Sequence, residues 1–446
     1  MNLNKSFIFK IITVSLIFIS FFLGYYLREN SSGGGKEFYN LSWPIIQSFK
    51  KDFLYTIQNY GSFGDATIPF SHIINAYINP FNNIDTNFQL STTIISFLIF
   101  LSFVIVLKKK FTKIYYVDIF LTSSIILLLP FYRTSAFWGK NENYGWLFLI
   151  LAFYFFNEIK NNINKNPTNK DLSNIIFFCA TSACALYARQ ALVFLPVSYL
   201  LYLFLFNANK KIITVSIITF IIFAIPGLLL FWQWGSFYDA QNLSSNQFFG
   251  NWFSYKYIIK NIPIILSFIT FYLLPILFIE LINLGFKKFY NKYFKSFIFT
   301  FIFFIILSQI NLLNYLGEYT VGGGAVLKIN YLIKKNNFLL LLLFSSFGAS
   351  ICINLLKEDI KNNLIILLPL FIIYGFPNIL YQEYVEPLIL IIFFLGLNTK
   401  MLKCFFDNIT LSNIILILYF SAYLIGSIYF KHFMFFNYDE WKIFLN

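Results

Sequence analysis

The sequence predicts an all-α fold, a polytopic transmembrane helical bundle with interfacial helices in its first outer loop. Three observations predict it. Of 446 residues, 58% are hydrophobic and only 12% charged, with mean hydropathy +0.69, whereas a soluble domain carries about 25% charged residues. Apolar runs of about 20 residues, the length that crosses a bilayer as a helix, recur from one end of the chain to the other. Lysines gather in alternate connections between those runs, the signature of cytoplasmic loops.

The apolar spans fall at roughly 7–26, 88–107, 114–132, 144–157, 173–187, 190–206, 212–231, 258–284, 296–313, 337–355, 363–380, 385–399 and 412–430. Some are short, so about 11 to 13 crossings are expected, in a single domain over 1–446. The first span begins after Lys5 and has no small-residue cleavage motif behind it, which favours an uncleaved anchor over a signal peptide. Lys108 to Lys110 with Lys113, then Lys160, Lys165 and Lys170, Lys210 and Lys211, Lys287 to Lys295, Lys357 and Lys361, and Lys400 and Lys403 mark the cytoplasmic side. Most of the net charge of +14 is thereby a topology signal rather than a nucleic-acid one.

The opposite connections carry glycines, aromatics and most of the 19 carboxylates, among them Glu29, Glu37, Asp65, Glu142, Glu318 and Glu386. Acidic residues are tolerated outside and Trp and Tyr gather at both interfaces whatever the function. That leaves unexplained why glycine clusters, Arg133 and Arg189 meet the carboxylates on one face. Cys179, Cys184, Cys352 and Cys404 sit in or beside apolar runs with no CxxC pair, so no disulfide framework or thiolate metal site is implied. His72 and His432, the two histidines, lie far apart, which argues against a His-based metal centre or catalytic triad. Chemistry here falls to carboxylates.

The first outer loop, about 27–87, has Ile45, Ile46, Phe49 and Phe53 at helical spacing, and again Phe70, Ile73, Ile74, Tyr77 and Ile78. Two short helices, each with one greasy face in the interface, are expected, with a turn at Gly61-Ser62-Phe63-Gly64-Asp65. Gly33-Gly34-Gly35 lets backbone come close to a ligand and points Glu37 back over the membrane as a general base; the plainer reading is a hinge followed by a solvated charge. Tyr187-Ala188-Arg189-Gln190 is the one charged break between Ile175 and Phe206. A cation there pairs with a carboxylate or a lipid phosphate, or snorkels from a tight hairpin. Arg133, after Pro130, has the same two readings. Gly322-Gly323-Gly324 follows Glu318, and Lys334-Lys335 either marks a cytoplasmic turn or neutralises phosphate outside.

In order along the chain, these features resemble the integral-membrane glycosyltransferases of the GT-C class. Within that class they are most similar to the dolichyl-phosphate-glucose α-1,2-glucosyltransferase family and its bacterial relatives. The family's first loop carries Asp-Glu-x-x-His, where this chain has Lys36-Glu37-Phe38-Tyr39-Asn40; Pro44 to Phe49 then corresponds to its interfacial helix and Ala66-Thr67-Ile68-Pro69-Phe70-Ser71-His72 to its Thr-x-Pro segment. The Arg189-Gln190 pair, the Val321 to Leu332 stretch and Tyr381 to Pro387 resemble later family segments. Lys36 stands in place of the family's catalytic Asp and Asn40 in place of its His. Either Glu37 has taken over, Asp65 serves instead, or the chemistry has diverged.

The resemblance implies transfer of a sugar from a polyprenyl-phosphate donor in the outer leaflet to the hydroxyl of a glycan or glycolipid acceptor. Glu37 or Asp65 would be the general base, with Arg189, Arg133, Lys36, Gln190, Glu318 and Lys334 binding substrate or phosphate. No nucleotide fingerprint such as GxGxxG is present and no nucleic-acid partner is expected. No metal ligands are assigned, and a divalent cation stands open as cofactor. Trp43, Trp138, Trp232 and Trp234 would stack on sugars or anchor loops. A bacterial cytoplasmic membrane, with the active face outward and a role in cell-surface polysaccharide, is the expected setting. A polysaccharide polymerase or a lipid-linked oligosaccharide flippase is the alternative. A flippase would place charges at mid-membrane, whereas Asp118 and Glu280 fall near cytoplasmic ends.

Overall fold

The computed structural model describes residues 5–65, 67–160, 162–235, 255–309, 324–333, 339–377 and 380–434. Glu318 and Lys334 lie outside the described residues. All regular structure among the described residues is helical, and each apolar run of the sequence contains a helix. Among the described residues, eight helices are long and apolar enough to cross a membrane, or up to ten spans if each of two sharply bent pairs counts once. The protein is therefore an all-α, multi-pass membrane bundle. Two further apolar helices, Gln190–Leu205 and Ile360–Gly375, are shorter than a full crossing.

The chain divides into two compact bodies, one of residues 1–246 with Ser421–His432, the other of residues 247–420 with 433–446. The first contains α1 (Lys5–Tyr26), α2 (Gly35–Glu37), α3 (Trp43–Lys51), α4 (Phe53–Gln58), α5 (Phe70–Tyr77), α6 (Asp85–Lys110), α7 (Tyr116–Ser124), α8 (Pro130–Phe137), α9 (Glu142–Lys160), α10 (Asn169–Ala188), α11 (Phe194–Leu205) and α12 (Lys210–Trp234). α10 packs between α9 and α12, and α9 also packs on α6. A capping box opens α10, with Thr168 and Asp171 satisfying each other's backbone N–H. Asn209 caps the start of α12, and Gly235 ends it in the left-handed conformation. The exposed side of α12, with Ile218, Ile221, Ile222, Ile225, Leu228 and Leu229, is an apolar stripe of the kind a membrane span turns to hydrocarbon. The span holding α7 breaks at Pro130, the first residue of α8, with a bend of 74°.

The second body holds α13 (Tyr255–Leu284), α14 (Phe286–Gln309), α15 (Gly324–Ile333), α16 (Leu339–Glu358), α17 (Ile360–Gly375), α18 (Leu388–Ile391), α19 (Lys400–Asp407) and the first half of α20 (Ile409–His432). α16 packs against both α13 and α14. Its contact side is made of small residues. Gly348 lies so close to α13 that an added Cβ would come within 2.0 Å of the Leu266 carbonyl. Ser345 donates to the Pro263 carbonyl at 2.7 Å, a side-chain bond across the α13–α16 contact. Ser350 donates to the Tyr293 carbonyl of α14 at 2.9 Å.

The first loop contains the expected short helices, but their faces are disposed differently from each other. Ile45, Ile46 and Phe49 of α3 are fully buried by protein, so that greasy face is core rather than lipid contact. α5 is turned the other way. Ser71, His72, Asn75 and Ala76 are its buried side, while Tyr77 and the following Ile78 are exposed. An amphipathic helix with its polar side inward and apolar side outward suits a membrane surface on one flank and a polar site on the other.

Candidate functional site

The polar residues of the first body converge on one turn. Gly139 adopts a positive φ of 61°, and a side chain there would strike Phe88 at 2.6 Å, so glycine is needed both for the backbone and for the fit. The five residues that follow, Lys140-Asn141-Glu142-Asn143-Tyr144, each reach a different partner. Lys140 pairs with Glu37 at 2.8 Å. Asn141 meets Thr67 and His72 at 3.3 Å. Glu142 pairs with Arg189 at 2.9 Å, Asn143 reaches Ser96 of α6, and Tyr144 donates to Asn75 of α5. The turn thus ties the first loop, α5, α6 and the end of α10 together.

Asp65 is buried and thoroughly engaged. Its carboxylate accepts from the Thr67 backbone N–H at 2.8 Å and the Tyr60 hydroxyl at 3.1 Å, and lies 2.9 Å from His72 Nε2. Burial works to raise its pKa, but the His72 and Thr67 bonds outweigh that and hold the carboxyl below its ordinary value. Burial and the neighbouring carboxylate push the Tyr60 hydroxyl well above 10, so it stays a donor. Tyr60 stacks on Trp234, whose indole N–H donates to the Ile57 carbonyl at 2.9 Å. The left-handed Gly64 closes the short helix Tyr60–Phe63 and aims Asp65 inward.

The remaining expected site residues separate into two groups. Arg189 follows the last residue of α10, nearly buried, beside Glu142 and over the Trp146 ring. Glu37, about half exposed, sits next to Lys140. Lys36 is exposed on α2, and Gln190 begins the short helix Gln190–Val193. Arg133 departs from the phosphate-binding expectation. Its five N–H groups are taken by Glu29, Ser20 and the Leu127 carbonyl, with the Glu29 carboxylate 2.5 Å away and both side chains buried. No guanidinium hydrogen is left for a phosphate, so Arg133 frames the loop instead. The glycine triplet also differs from expectation: Gly34, at φ 146°, and Gly35 let the backbone lie against Thr134 and Trp138 of the protein itself. Trp138 and Trp234 are buried pins, while Trp232 is exposed.

His72 has no second histidine near it in the sequence, and Lys140, Asn141 and Glu142 match no motif, so the sequence does not single them out as site residues. The available signal was the unbroken polar run 139–144 between two apolar stretches. Among the described residues no three His, Cys, Asp or Glu side chains converge as a metal site. Comparisons with the profiles of known protein families, with characterised proteins and with solved structures return no match.

Proposed function

We propose that this chain is a membrane glycosyltransferase of the GT-C kind, moving a sugar from a polyprenyl-phosphate donor to a glycan or glycolipid hydroxyl at the outer face of a bacterial cytoplasmic membrane. The observation that carries the reading is the convergence on Lys140–Tyr144 of a buried Asp65–His72 pair and two cations, Lys140 and Arg189. The exposure of Tyr77 and Ile78 at the end of α5, opposite its buried polar side, supports a lipid surface beside that cluster. Such a transfer needs an acceptor for the hydroxyl proton and fixed positive charge for the departing phosphate. The Asp65 arm supplies the first and Arg189 with Lys140 the second. Glu142 and Glu37 neutralise those cations at rest, and a donor phosphate would compete with them for the same N–H groups.

The test is transfer of labelled sugar from polyprenyl-phosphate donors to lipid acceptors in membranes. Asp65→Asn is expected to lower transfer by about 10²- to 10⁴-fold and Glu37→Gln by much less, since Glu37 is half exposed and ion-paired. Arg189→Gln should lower the rate of transfer more than the binding of acceptor. Wild-type rates in both carboxylate variants would remove the carboxylates from the chemistry.

A further inference from the structure

We infer that His72 is the group that takes the proton from the acceptor hydroxyl and that Asp65 positions it; this rests on the transferase reading above. The Asp65 oxygens are committed to Thr67, Tyr60 and His72, and each of these bonds stabilises the carboxylate and makes it a poorer base. A ring nitrogen facing a carboxylate carries its hydrogen, so Nε2 is the N–H of His72. Asn141 then serves best with its amide oxygen toward that N–H, an orientation set by the network.

The other nitrogen, Nδ1, is buried and has no hydrogen-bond partner. A hydrogen there would be a buried donor without an acceptor, so Nδ1 holds a bare lone pair. One helical turn along the same buried side of α5, the Asn75 Nδ2 is likewise buried without an acceptor, its Oδ1 being taken by Tyr144. A lone-pair acceptor and an N–H donor on one polar helix side match the two needs of a single hydroxyl, which donates one hydrogen and accepts another.

In the reaction the acceptor oxygen bonds to the anomeric carbon while its proton passes to His72 Nδ1. The bond from that carbon to the phosphate oxygen breaks, its electron pair leaving with the phosphate. The imidazolium so formed faces the Asp65 carboxylate and returns its proton to solvent after the product departs.

The chain has two histidines, so His432→Gln leaves His72 as the sole imidazole. In full-length protein of this background, labelled with ¹⁵N-histidine and held in lipid nanodiscs, the expected spectrum has a protonated Nε2 and an unprotonated Nδ1. The opposite tautomer overturns the inference. In transfer assays with a polyprenyl-phosphate sugar, His72→Gln keeps an N–H toward Asp65 but has nothing at Nδ1. Its melting temperature should stay close to that of the parent while kcat falls about 10²- to 10⁴-fold with donor KM unchanged. Asp65→Asn should displace the pH–rate profile, which a merely structural residue would not do. If the parent transfers sugar and a folded His72→Gln does so equally fast, the inference fails and the transferase reading stands. If the parent transfers none, the transferase reading fails and this inference with it.

Discussion

Arg133 and Glu29 stand 104 positions apart in the chain and form a buried, multiply hydrogen-bonded ion pair of the first body. Removing one partner strands a buried charge, which costs about 3–5 kcal/mol. Glu29→Gln is expected to lower thermal stability by that order, and Arg133→Lys by less, since lysine keeps the charge but cannot reproduce five directed donors. Arg189→Gln is expected to cost less stability and more activity, which separates the framing arginine from the working one. Asp65 adds a pH dependence. Its folded pKa lies below its ordinary value, so the stability it contributes is present above the unfolded carboxylate value near about 4. That contribution is lost as pH falls through the depressed folded value. Melting curves over an acid series should therefore fall more steeply for wild type than for Asp65→Asn. None of these pairs was legible from sequence beyond its charge type. A lone arginine signals that it needs a partner, but a partner a hundred residues away is chosen by the fold.

At the scale of elements, the helical character of the apolar runs was legible because it depends on about 20 consecutive residues, but the 11 to 13 crossings expected exceed the 8 helices, or up to 10 spans, long and apolar enough among the described residues. The direction of α3 was not legible, since periodicity locates an apolar side without saying whether protein or its surroundings will cover it. The same ambiguity made α3, which buries Ile45, Ile46 and Phe49, resemble α5 in the sequence. Close helix crossings were equally hidden. Gly348→Ala must push the added methyl into the Leu266 carbonyl, so α13 and α16 are expected to separate at a cost of about 1–3 kcal/mol or more. Gly426→Ala on α20, where an added Cβ meets nothing within 4 Å, should be neutral or slightly stabilising. Paired melting measurements in the same detergent check both. Gly34→Ala should also destabilise, because φ 146° and Thr134 at 2.7 Å both oppose a side chain.

Across the molecule, the lysine distribution that set the expected orientation is consistent with the contacts of the first body. Ends assigned to the cytoplasmic side meet one another, Lys10 with Asp118 at 2.6 Å and Lys109 with Glu158 at 2.9 Å. Ends assigned outward meet at Lys140–Tyr144. In the second body Lys292 joins Glu280 and Glu358 at 2.7 and 2.8 Å, again among residues placed at cytoplasmic ends. Charge in this chain thus falls into two sets, the lysines between apolar runs and a small set of opposed charges gathered at Lys140–Tyr144. The central claim is that this gathered set carries out sugar transfer. Its most direct test is the rate at which purified full-length protein in liposomes moves labelled sugar from a polyprenyl-phosphate donor to a lipid acceptor, measured for wild type and for folded Asp65→Asn. The account predicts transfer by wild type and a fall of about 10²- to 10⁴-fold in the variant; no transfer by wild type, or equal rates in the two, would contradict it.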